Sequence, residues 1–205
     1  ETGEPAVDRP TLMPRMQAFG YTIETLHFML NPMVREHRDP VGSMGNDSAI
    51  AVLSDKPRMV YDYFRQLFAQ VTNPPIDSIR EEVIMSLECY VGPEGNLLEP
   101  TPEACRQIAI EYPILHNDQV AKLRHLPTGS PFRSTTLPLL YDPAEGGPGL
   151  ARAMAELCRK ASQAVAAGYG IIILSDRGVD ATHAPIPSLL ATAGVHHHLV
   201  REGAR

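Results

Sequence analysis

The sequence predicts an α/β fold, a parallel or mixed sheet with flanking helices. Amphipathic helical stretches alternate with short apolar runs. The clearest pair comes near the end: Leu150, Met154, Leu157, Ala161 and Val165 recur at helical spacing, Gly168 stops the helix, and IIIL follows at 171–174. An all-apolar strand directly after a helix marks a sheet buried on both faces, usually parallel. The chain holds 205 residues without an internal repeat or low-complexity tract, which suits one domain that buries about 70% of its unfolded surface.

The elements follow in order. ETGEPAVDRP is polar and proline-containing, so residues 1–14 read as a linker from a preceding domain or an expression remnant, ahead of a domain over 15–205. In YTIETLHFMLNPMVREH, Ile23, Leu26, His27, Leu30 and Val34 share one helical face, with Thr22 as N-cap and Pro32 as a kink or interruption. PVGSMGNDSAIAVLS opens on glycine punctuation and ends in a strand-like run. DKPRMVYDYFRQLFAQV predicts a strong helix, with Pro57 in its first turn and a stripe of Val60, Phe64, Leu67, Phe68 and Val71. After the stiff TNPPID, Ser78 and Glu81 fit a capping box, and the helix they start turns Ile79, Val83 and Leu87 inward. Thr101-Pro102-Glu103 signals another helix start, EYPIL reads as extended, HNDQVAKLRHL as a short helix and FRSTTLPLLYD as a strand. SLLATAGVHHHLVREG closes the chain as a helix ended by Gly203.

Composition excludes several classes. Apolar and charged fractions of 43% and 20% are those of a globular protein. A net charge of -6, with no basic cluster interleaved with aromatics, disfavours nucleic acid. The longest apolar run, Ala164 to Leu174, is too short to cross a bilayer. Cys89, Cys105 and Cys158 are odd in number and far apart. They read as reduced, mostly buried thiols of a cytoplasmic protein, with Cys158 on the apolar side of its helix.

Few motifs carry chemistry. Gly42-x-x-Gly45 lacks the lysine of a phosphate loop and reads as a turn. His196, His197 and His198 are consecutive, so on a helix they point about 100° apart and cannot share one metal. A weaker His198/Glu202 pair stands at i,i+4 spacing, and the reading here is one or two imidazoles hydrogen-bonded at a helix interface. Ser175-Asp176-Arg177 follows the IIIL strand, where α/β folds place ligands. Asp176 as acid/base and Arg177 as anion clamp is one reading; an Asp-Arg pair fixing the loop is the other.

The strings QAFGYT, PVGSMGNDSAIAVLS, YFRQLFAQVTNPPIDSIREEVIMSL, ILSDR and IPSLLATAGVHHHLVREG occur in this order and resemble the central domain of glutamate synthase over nearly the whole chain from about Arg15. The resemblance implies a parent that makes two glutamates from glutamine and 2-oxoglutarate with a reductant. It implies an amidotransferase domain that releases ammonia, and a flavin domain that holds FMN and a 3Fe-4S cluster. A reductase subunit or ferredoxin would supply electrons. It also implies that this domain has a topology like a partial copy of the flavin barrel, connects the two catalytic domains and helps wall an internal ammonia tunnel. Glu1 is no catalytic cysteine, and no cluster or flavin motif is present. The implied segment therefore carries no cofactor, metal or catalytic residue of its own. One position is carried over: Thr72 and Asn73 as tunnel-facing, with Pro74 and Pro75 holding the backbone. A rigid interhelix corner packed in the core is the alternative for TNPPID. For the domain as a whole, the alternatives are a self-contained anion-binding enzyme using 175–177 and an interdomain signalling module.

Overall fold

A computed structural model describes residues 9–38, 53–55, 58–64, 71, 74–96 and 98–205. Helix α1 runs over Arg9–Ala18 and so begins inside the stretch read as linker. Gly20, at φ 78°, ends it: the Gly20 amide bonds the Gln17 carbonyl and the Tyr21 amide bonds the Met16 carbonyl. That paired pattern needs a left-handed residue, which glycine supplies.

Thr22 caps the next helix, as its sequence predicts. Its hydroxyl accepts from the Thr25 amide at 3.2 Å, the Thr25 hydroxyl accepts from the Thr22 amide at 3.3 Å, and the Leu26 amide bonds the Thr22 carbonyl. Pro32 interrupts this helix without breaking it. Thr25–Leu30 widen into a π-helical turn that leads directly into α2 (Asn31–Glu36), and the Asn31 amide reaches back to the Leu26 carbonyl. The wider ladder accommodates a residue that has no N–H and whose ring crowds the carbonyl four residues earlier.

A strong helix is expected over 55–71; at the described residues 58–64 the structure differs from it. A 3₁₀ turn covers Val60–Tyr63, and Phe64 is exposed coil. Phe64 is 72% exposed, so the burial that stabilises an amphipathic helix is missing at that residue. Leu67, Phe68 and the glycine turn at Gly42 and Gly45 lie outside the described residues.

Helix α3 spans Ser78–Ile84. The restart after the diproline is present, but Asp77 caps it instead of Ser78. The Asp77 carboxylate accepts from the Ile79 and Arg80 amides at 3.1 and 2.9 Å, and Ser78 is the first helical residue. A carboxylate satisfies the first-turn amides and also carries charge toward the positive end of the helix. Ile79, Val83 and Leu87 do not point inward; they are 86%, 79% and 57% exposed.

Strands β1 (Cys89–Val91) and β2 (Ile108–Ile110) pair antiparallel, with Cys89 opposite Ile110. Thr101-Pro102-Glu103 opens only a 3₁₀ turn, Pro102–Cys105. The extended piece precedes EYPIL, whose Pro113 has no N–H for a ladder. Helix α4 covers Asn117–Arg124, as predicted, and the His116 amide donates to Gln119 Oε1 at 2.8 Å.

The remaining elements build the core: β3 (Ser134–Pro138), β4 (Leu140–Tyr141), α5 (Gly146–Ala166), β5 (Ile171–Ser175), β6 (Ala184–Pro185) and α6 (Ser188–Arg201). β3 and β5 pair parallel, from Ser134 opposite Ile171 to Pro138 opposite Ser175, with α5 as the crossover. β4 and β6 pair antiparallel, Leu140 opposite Pro185. Leu139 ties these two pairs together: its amide bonds the Ser175 carbonyl at 2.7 Å, and its carbonyl accepts from the Ile186 amide at 2.9 Å. The class is mixed α/β with small parallel and antiparallel pairs. β5 is fully buried only at Ile171, short of the two-sided burial its apolar run predicts, because β3 is its one ladder partner among the described strands.

Helices α5 and α6 pack together over this unit. Leu137, Leu139, Leu157, Ala161, Ile186, Ala191, Val195 and Leu199 form the core cluster, with Ala161 and Ala191 wholly enclosed. Gly168 (φ 81°) and Gly203 (φ 66°) end α5 and α6 as predicted, each with the same paired bonds seen at Gly20. Arg133 reinforces the end of α5: its Nη1 donates to the Ala167 carbonyl at 2.6 Å, and its guanidinium lies 4.4 Å from the centre of the Tyr169 ring.

Candidate functional site

The TNPPID segment enters α3. Thr72 and Asn73 lie outside the described residues. Pro74, Pro75, Ile76 and Asp77 are non-helical and exposed. The diproline offers no amide and two fixed φ angles, so this stretch is a stiff surface edge that the Asp77 cap joins rigidly to α3.

The strand-end loop is built differently from its expected roles. The Ser175 hydroxyl accepts from the Arg177 amide at 3.4 Å and lies 3.5 Å from Arg124 Nη2, at the outer limit for a hydrogen bond. Asp176 is half-buried and Arg177 exposed, and no ion pair joins them among the described residues. The Asp-Arg pair considered as a loop fastener is therefore replaced by the serine. Arg124, at the end of α4, was not singled out by its sequence. Its Nε is enclosed with no hydrogen-bond partner.

Further along the same loop, Asp180 gathers four donors on Oδ1: the amides of Thr182 and His183 at 2.8 Å each, and Thr182 Oγ1 and His183 Nδ1 at 2.9 Å each. The Thr182 amide foremost, then the His183 ring and the Thr182 hydroxyl, hold this carboxyl far below the usual aspartate range. With Nδ1 donating, a neutral His183 keeps its lone pair on Nε2. The D-x-T-H spacing is the local signal for this turn, since aspartate side chains accept from amides two and three residues on.

The histidine run behaves as its spacing implies. His198 Nε2 meets the Ser162 hydroxyl at 2.8 Å across the α5–α6 interface and Glu202 Oε1 at 3.3 Å one turn further along its own helix, while His196 and His197 touch edge to face. Ser162 has one proton, and Glu202 Oε2 at 2.5 Å is its strongest acceptor. His198 then donates from Nε2 to the Ser162 oxygen. Both the hydroxyl and the carboxylate meet the same ring nitrogen. The carboxylate does not orient the ring from the opposite side, so this arrangement is a clasp and not a nucleophile with its base.

All three cysteines are free thiols. None of the three is fully buried, which corrects the expectation of mostly buried thiols: Cys89 and Cys158 are half-buried, and Cys105, which ends a surface 3₁₀ turn, is exposed. Cys158 packs beside the core, and burial pushes its thiol up. Cys89, Cys105 and Cys158 sit on β1, that turn and α5. No group of three or more His, Cys, Asp or Glu is placed to hold a metal ion among the described residues, so these thiols do not fit an iron-sulfur cluster. No described helix is long and apolar enough to cross a membrane.

Fold and side chains together define a mixed α/β segment with clasps and caps. The family model for the glutamate synthase central domain matches residues 14–205, and the chain belongs to that family. It is 46% identical over 191 residues to glutamate synthase (NADH) of Schizosaccharomyces pombe, an alignment covering 93% of this chain and 9% of that protein. It is 40% identical to the large chain of glutamate synthase (NADPH) of Bacillus subtilis, covering 95% and 12%. It is 39% identical to the chloroplastic ferredoxin-dependent glutamate synthase of Spinacia oleracea, covering 97% and 12%. The chain thus spans about a tenth of the length of these relatives.

Proposed function

We propose that this chain is the connecting segment of a glutamate synthase: it joins the glutamine-hydrolysing and flavin domains and forms part of the wall along which ammonia passes between them. The observation that carries the reading is the exposed diproline edge. Pro74 and Pro75 are at the surface, which favours a face meeting another domain over a corner packed in a core. Ammonia has to be kept from bulk water, where it is protonated and lost, so a stiff wall with few free N–H groups suits it. Thr72 and Asn73 supply the passing hydrogen bonds, and Pro74 and Pro75 hold them in place. The flavin and the cluster belong to other parts of the polypeptide, and the segment alone turns nothing over.

Thr72→Phe in the intact enzyme tests this. Glutamine hydrolysis should persist while glutamine-dependent glutamate formation falls, and added ammonium should partly restore synthesis. Both half-reactions unchanged would remove Thr72 from the passage. The loop 175–177 is assigned to holding the end of β5 through Ser175, so Asp176→Ala should leave both half-reactions intact.

A further inference from the structure

The described part of residues 9–115 contains no fully buried residue, whereas among the described residues every large exposed hydrophobic except Leu189 and Val200 belongs to it. The exposure is organised around α3. Ile79 and Val83 stand one turn apart and so share a face. Directly after them an open groove of about 560 Å³ runs between the end of α3 and the β1–β2 pair, lined by Met85, Ser86, Leu87, Glu88, Ala109, Glu111 and Tyr112. Exposed apolar side chains on a helix face beside a groove mark an interaction site.

The groove is also acidic. Glu88 Oε1 accepts from Tyr90 Oη at 2.7 Å, and Glu111 neighbours Tyr112 in the chain; the adjacent carboxylate pushes each phenol up. Among the described residues neither glutamate has an ion-pair partner. A second copy fits this surface poorly, because a two-fold contact would bring the same carboxylates together in a chain of net charge -6. About nine-tenths of each relative's length lies outside the matched segment, which supplies an occupant within one polypeptide.

We infer that this groove is the docking site for a segment of the same polypeptide outside residues 1–205, one that presents an aliphatic or aromatic anchor beside a lysine or arginine. The anchor fills the space between Met85, Leu87 and Tyr112, and the cation meets Glu88 and Glu111. This rests on the reading of the chain as one domain of a longer enzyme, and it requires nothing of the ammonia passage.

Carbodiimide labelling of carboxylates in the intact enzyme, native against denatured, tests it. Glu88 and Glu111 should label at least about tenfold more slowly in the native enzyme, the factor expected when the groove is docked about nine-tenths of the time. Leu87→Asp, at a position already exposed here, should return Glu111 toward its denatured rate without changing amide exchange in 134–175. Native labelling near the denatured rate would overturn the proposal. So would protection that disappears on dilution to the single chain, since a second copy would then be the cover. A lost Thr72 effect with protected glutamates would remove the passage and leave the docking site standing.

Discussion

Asp180, Ser162 and Cys158 show how much single side chains decide here. The Asp180 carboxyl titrates far below its ordinary range because four donors converge on one oxygen. A depressed folded pKa stabilises above the unfolded value and is lost as pH falls through the folded one. The 180–183 turn should therefore hold at neutral pH and loosen only in acid well below about pH 4. The Thr182 and His183 amide resonances should shift together in such a titration, and Asp180→Asn should abolish it. Ser162→Ala removes the hydroxyl that joins His198 to Glu202; a drop of about 0.5–1.5 kcal/mol in denaturant unfolding is expected for one partly buried hydrogen bond. Cys158 should alkylate more slowly than Cys105 at neutral pH, since burial raises its thiol and Cys105 lies open. Mass spectrometry of the two peptides reads this directly.

At the scale of elements, helix ends were the most legible feature. Thr22, Gly168 and Gly203 act where their residue types say they act, because a cap is settled by three or four neighbouring residues. Gly168→Ala forces a side chain into φ 81° and brings its Cβ within 3.2 Å of Arg133 Nη1. A loss of about 1–2 kcal/mol, seen as a lower unfolding midpoint, is expected from the left-handed strain alone. The cap at α3 falls one residue before the one its capping-box pattern predicts, because Asp77 and Ser78 are both good capping types and only backbone geometry separates them. Asp77→Ala should cost α3 about 0.5–2 kcal/mol, visible as faster exchange of the Ile79 and Arg80 amides. The histidine clasp was legible from i,i+4 spacing, whereas Arg124 beside Ser175 joins residues 51 apart, a distance no local pattern spans.

Across the whole molecule, the described chain divides by burial. Among the described residues, 137–199 contain every buried hydrophobic, and the earlier ones expose apolar side chains such as Ile79, Val83 and Ile114. Leu157→Ala, deep in the α5–α6 core, should cost about 2–5 kcal/mol. Amide exchange of the 205-residue chain should show protection concentrated in 134–201 and weak protection at 9–38 and 74–96. That contrast follows from area: a surface carrying this much uncovered aliphatic side chain gains little hydrophobic stabilisation until something covers it.

What the sequence by itself determined was local or collective. Helix starts and stops, the α5–β5 unit, the inability of His196–His198 to share a metal and the glutamate synthase relationship all rest on neighbouring residues or on long matching strings. What only tertiary structure decided was which apolar faces are covered. Ile79 and Val83 carry the same helical periodicity as Leu157 and Ala161, yet the first pair is exposed and the second buried. Periodicity reports that a face exists, and the free energy of burying it is realised only where another element lies against that face.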